Sequence, residues 1–238
     1  MATLGWKKLS QPGDGPPWPR RRLAAAAAGA VLLATVSVAG TASDASAVDC
    51  GTAVAAGTGC TMTGTLTVTG GSLTATSPSS LTWAATLNGT DQSVVDVTAG
   101  DQQLTVNDAT GSGAGWHVTA SATTFTNGTH TLPNTGTFVT TGSVTSATGT
   151  TAPTATCAAS TTCTLPTNST TYPVAITTAA SSPTAVTIYD TAANTGVGQV
   201  VVGGSTQANP FGWWINVPGN AFAGAYTSSV TMAVVSAP

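Results

Sequence analysis

The chain has 238 residues, of which 8 are acidic, 5 are basic and only 5% carry charge. All five basic residues (Lys7, Lys8, Arg20, Arg21 and Arg22) lie near the start, so residues 48–238 keep six Asp, no Lys, no Arg and no Glu, a formal charge of −6. Without a cation to release counterions from a phosphate backbone, that stretch is excluded as a nucleic-acid binder, and teichoic acids or anionic headgroups would repel it.

From the N-terminus, the basic head is followed by an apolar run from Leu23 to Gly40 and a small-residue stretch ending Ala45-Ser46-Ala47. Basic head, apolar centre and an A-x-A site describe a secretory signal peptide over residues 1–47, cleaved after Ala47. The run also approaches the length of a membrane span, but the A-x-A tripeptide favours cleavage, which leaves no transmembrane anchor. Arg20-Arg21-Arg22 leaves a twin-arginine route open beside general secretion.

The remaining residues, 48–238, suit one domain or two small lobes. Export favours oxidised cysteines. Four cysteines allow three connectivities, and sequence alone does not choose between them. Close neighbours meet most readily, which favours Cys50–Cys60 and Cys157–Cys163. Zinc is the alternative, but neither interval has C-x-x-C spacing, and His117 and His130 are far away in sequence. No metal or cofactor is expected.

Strand patterning then follows. Thr61–Thr69 alternates, with Met62, Leu66 and Val68 on one face and threonines on the other. Gln103–Asn107, Trp116–Ala120, Ala185–Tyr189 and Tyr226–Val234 repeat the scheme, the mark of half-buried antiparallel strands. Gly70-Gly71, Ser77-Pro78, Asn88-Gly89, Asn127-Gly128, Gly203-Gly204 and Pro218-Gly219 supply turns between them. The expected fold is all-β, a disulfide-stapled antiparallel sandwich. Residues 140–156, rich in Thr, Ser, Gly and Ala, read as a long loop or linker between the two possible lobes.

The C-terminal end reads Tyr226-Thr-Ser-Ser-Val230-Thr231-Met232-Ala-Val234, closing on Pro238. Upstream stand Leu104-Thr-Val-Asn-Asp108, Gly115-Trp116-His117-Val118, Trp213-Trp214-Ile215-Asn216-Val217-Pro218 and Gly224-Ala225-Tyr226. These stretches resemble the WxL domains of Gram-positive surfaces over about residues 60–238. In this chain Met232 replaces the terminal Trp of that pattern, and Val118 and Val234 replace its two Leu residues; apolar exchange preserves a core role. The resemblance implies non-covalent attachment to peptidoglycan or another cell-wall glycan, and action beside other surface proteins.

The candidate binding residues are Trp116, Trp213, Trp214, Tyr226 and Met232. Adjacent residues on a strand point to opposite faces, so one of Trp213 and Trp214 is expected in the core and the other outside, where an indole can lie flat on a sugar ring. Trp116 and Val118 belong to the core face and His117 to the outer one. Leu132-Pro133-Asn134-Thr135-Gly136 reads literally as a sortase signal, but no apolar segment and basic tail follow, so a turn with a left-handed glycine accounts for it. Asp91, Asp96, Asp101 and Asp108 lack calcium-loop spacing and read as turn caps. Catalysis is not expected: no G-x-S-x-G elbow is present, and without Lys, Arg or Glu few groups could stabilise a transition-state charge. The alternative function is a structural or adhesive subunit that binds another surface protein by a strand edge or aromatic contacts.

Overall fold

A computed structural model describes residues 48–51, 53–57 and 59–237. The expected leader, 1–47, lies outside the described residues. The described residues fall into two compact units that part between Gly64 and Thr65. In the first, β1 (Val48–Asp49) pairs in parallel with β2 (Cys60–Thr61). The Cys50–Cys60 disulfide closes the loop between them, and the Cys50 amide donates to the Thr61 carbonyl at 3.3 Å.

The second unit is built from β3 (Leu73–Thr76), β4 (Gln92–Val95), β5 (Gln103–Asp108), β6 (Trp116–Ala122), β7 (Phe138–Thr141), β8 (Ala155–Cys157), β9 (Val174–Ile176), β10 (Val186–Asp190), β11 (Gly198–Gly203), β12 (Gly212–Val217) and β13 (Val230–Ser236). They form three antiparallel sheets ordered β3-β5-β11-β8, β4-β12-β7-β9 and β10-β6-β13. The all-β antiparallel class holds, with three sheets contributing to one core instead of the simplest two-sheet sandwich. Leu104, Val106, Trp116, Val118, Phe138, Ile176, Ile188, Val200, Val202 and Trp213 all belong to that core.

Alternation explains the faces. β6 alternates strictly between buried and half-buried residues, with Trp116, Val118, Ala120 and Ala122 inward and His117 on the outer face, as its pattern requires. β13 pairs with β6 so that Val234 lies opposite Val118 and Met232 opposite Ala120. The two stretches resembling W-x-L are therefore cross-strand neighbours, with Trp116 and Val118 in the core and Val234 packed against it. Cys157, at the end of β8, is bonded to Cys163 across a Cα–Cα distance of 5.5 Å.

Three expectations change. Thr61–Thr69 is not a strand beyond Thr61: Met62, Leu66 and Val68 are 77%, 85% and 82% exposed, because alternation suits a pleat but only a paired edge makes a strand. The last strand begins at Val230 and not at Tyr226; the preceding stretch instead bridges Thr227 to Thr126. Residues 140–156 do not separate two lobes, since strands from before and after that segment share every sheet of the second unit. The segment folds back on itself, with the Gly142 amide donating to the Thr151 carbonyl at 3.1 Å.

Candidate functional site

Burial sorts the aromatic candidates. Trp213 is fully buried, and its indole N–H donates to the Asp101 carbonyl at 2.8 Å. Trp214 points to the other face of β12, where the 141–152 loop covers it: its indole N–H reaches the Ser143 carbonyl at 2.9 Å and the Thr141 hydroxyl at 3.1 Å. Gly212 permits that approach, since a Cβ there would strike the Ser143 carbonyl. Trp214 is only 6% exposed, so the outward indole expected on this strand is absent. Trp116 is also fully buried, stacked on Tyr189 at 5.8 Å with its N–H on the Gly196 carbonyl. These three tryptophans are buried, Trp116 and Trp213 within the core cluster and Trp214 under the 141–152 loop.

The exposed aromatic surface lies around Tyr226. Pro218-Gly219 opens the loop before β13: the Gly219 amide donates to the Asp91 carboxylate at 2.8 Å, and the Ala221 amide to the Pro218 carbonyl at 2.9 Å. Thr227 exchanges two backbone hydrogen bonds with Thr126, at 2.9 and 3.0 Å. The Tyr226 hydroxyl donates to the Phe222 carbonyl at 3.1 Å. These bonds fix the ring where three hollows adjoin.

The first hollow, about 460 Å³, is lined by the hydroxyl-bearing residues Ser77, Ser79, Ser80, Thr82, Thr227 and Ser228, by Trp83 and Tyr226, and by Met232. Ring faces beside small hydroxyls suit a sugar, whose apolar face stacks while its OH groups exchange hydrogen bonds. The second, about 430 Å³, is almost wholly apolar, with Leu87, Val94, Phe125, Ile215 and Val217 among its walls. The third, about 470 Å³, joins Thr129, His130, Asn220 and Phe222 to Tyr226. In it the rings of His130 and Phe222 stack at 3.8 Å, with 7° between planes.

Of the candidates, Tyr226 and Met232 thus meet in one hollow. Trp83 and Phe222 were not singled out from sequence. Trp83 is anchored by its N–H on the Trp213 carbonyl at 2.9 Å and by edge-on contacts to Phe125 and Phe138, yet stays half-buried. Phe222 is 60% exposed; its flanking Ala221, Ala223 and Gly224 are too small to cover it, and that is the signal by which it could have been found.

Four carboxylates, those of Asp91, Asp96, Asp108 and Asp190, serve as caps. Asp96 accepts the Thr82 amide at 2.7 Å and the Thr98 amide at 2.8 Å. Asp108 accepts the amide and hydroxyl of Thr110, and Asp190 accepts the Ser169 hydroxyl. Asp101 is held above the ordinary carboxylate range, first by burial and then by the neighbouring Asp96 charge. Burial pushes the Tyr189 phenol up to about 12 and the Tyr172 phenol higher still. Within the sortase-like stretch, Leu132 is buried and Gly136 takes φ of 76°, as in a turn. Among the described residues, no helix is long and apolar enough to cross a membrane.

The chain belongs to the family described as WxL domain, surface cell wall-binding, which it matches over residues 61–238. It is therefore a cell-wall-associated surface protein. No curated protein and no solved structure shows significant similarity to it.

Proposed function

We propose that the protein is exported, loses residues 1–47 and attaches non-covalently to peptidoglycan, with a glycan seated in the hydroxyl-lined hollow between Trp83 and Tyr226. The family match supports attachment to the wall. The observation favouring this hollow is the pairing of Trp83 and Tyr226 with six Ser and Thr residues in a stretch that carries no cation. Recognition then rests on stacking and neutral hydrogen bonds, without ionic attraction. On this reading the domain is a binder and not a catalyst, in keeping with Asp91, Asp96, Asp108 and Asp190 holding backbone amides and hydroxyls in place.

The test is retention on purified wall sacculi stripped of teichoic acid. Tyr226→Ala is expected to weaken retention about tenfold, the scale of losing one aromatic anchor, with the melting temperature little changed. Equal retention of Tyr226→Ala and the parent would place the glycan elsewhere. The second reading, a structural or adhesive subunit for another surface protein, draws on the exposed aliphatic face of residues 62–68.

A further inference from the structure

Among the described residues, two surfaces lack a partner, and each has the form the other requires. The first is residues 62–69. Among the described residues none of their backbone groups has a hydrogen-bond partner, and Met62, Leu66 and Val68 are 77%, 85% and 82% exposed. Alternation places Leu66 and Val68 on one face and threonines on the other. No charged residue occurs between Asp49 and Asp91, and no proline between the leader and Pro78. Solvent-exposed strands ordinarily carry charges, proline or bulges that discourage pairing; this stretch has none of them.

The second is the apolar groove of about 430 Å³. One wall is the chain 83–87, with Trp83, Ala85 and Leu87 lining it at alternate positions; the other is the loop 222–225. Among the described residues, the backbone amides of both walls have no hydrogen-bond partner. The floor includes Val94 of edge strand β4 and Ile215 of β12. An added extended segment would find amides on both sides and an apolar floor for alternate side chains, so that main-chain bonds give affinity and the floor reads the side chains.

We infer that residues 62–69 of one copy dock as an added strand in this groove of a second copy, with Leu66 and Val68 on its floor. Charge favours this occupant: neither surface carries a charged side chain, and a strand bringing carboxylates would meet no cation anywhere in residues 48–238. The path of the chain favours a second copy over self-insertion. The Gly71 amide is bonded to the Ala109 carbonyl, and a Cβ at Gly70 would strike the Thr110 carbonyl. This root lies at the Asp108 end of β3, whereas the chain leaves for Trp83 from the Thr105 end. Reaching its own groove would require residues 62–69 to double back along β3. Donor and groove are different surfaces, so the contact is head-to-tail and propagates into chains or closed rings. Each copy carries −6 over residues 48–238, so salt strengthens the association by screening repulsion.

Sedimentation velocity on the purified secreted protein tests this. The parent is expected to form species larger than a dimer as concentration and salt rise. Leu66→Asp/Val68→Asp lacks the donor and Ala85→Asp spoils the groove; each alters exposed positions and is expected to melt like the parent but remain monomeric. Mixing the two variants restores one intact donor and one intact groove, and is expected to yield a one-to-one dimer. A parent that stays monomeric up to about 1 mM, variants that assemble like the parent, or a mixture that gives no dimer would each overturn the inference. Retention of the donor-less variant on sacculi is read separately, so loss of assembly and loss of wall binding are distinguishable.

Discussion

Each buried indole in this domain donates its N–H to an oxygen of the chain: Trp116 to Gly196, Trp213 to Asp101, and Trp214 to Thr141 and Ser143. Truncating one removes a large packed volume and leaves its acceptor unpaired. Trp116→Ala is expected to cost about 3–5 kcal/mol, measurable by denaturant unfolding, whereas Tyr226→Ala should act on retention instead. Asp101 gives a pH test. Its folded-state carboxyl titrates above its ordinary 3.8, through burial and the Asp96 charge, so the folded form holds the proton more tightly than the unfolded form. That contribution is complete below the unfolded value and disappears as pH rises through the folded one. Asp101→Asn is therefore expected to stabilise the protein at pH 7, by at most about 0.5 kcal/mol at so open a site, and to change nothing at pH 3. Thermal melts at the two pH values check the sign.

At the scale of elements, register decides what a residue is worth. Val234 lies opposite Val118 and packs against the core, while its neighbour Val235 is 45% exposed. Val234→Asp places a carboxylate among apolar groups and is expected to cost about 3 kcal/mol or more; Val235→Asp should stay within about 0.5 kcal/mol. A similar outcome for both would refute the register of β13 on β6. Cys157–Cys163 closes a short loop at the end of β8. Replacing both cysteines with Ser is expected to lower stability by about 2–3 kcal/mol, read from the denaturation midpoint. β5, β6 and β10 were legible as strands within a residue or two, because their apolar positions recur at the spacing of a pleat. Residues 61–69 show the same recurrence and form no strand past Thr61. Alternation reports which face would be apolar, but not whether a partner edge exists to pair with it.

At the scale of the whole molecule, residues 48–238 carry no Lys or Arg, which bears on the proposed mode of binding. A contact made by rings and neutral hydroxyls has no ion pairs to screen. Retention of the monomeric Leu66→Asp/Val68→Asp variant on sacculi is expected to be the same at about 0.05 and 0.5 M NaCl, by pull-down at the two concentrations. A steep fall with salt would point to ionic attraction to some other wall component.

The sequence by itself determined the β class, the negative charge of residues 48–238 and the W-x-L-like stretches, because each depends on composition or on spacing within a few residues; it favoured the local cysteine pairs, and the structure chose them. Only the tertiary structure decided which aromatics face solvent. Trp213 and Trp214 do point to opposite faces of β12, as strand geometry requires, but a loop some seventy positions away covers the second of them. Trp83 and Phe222, far apart in sequence, border one groove. Exposure depends on what packs against a residue from elsewhere in the chain, and alternation along a single strand carries no information about that.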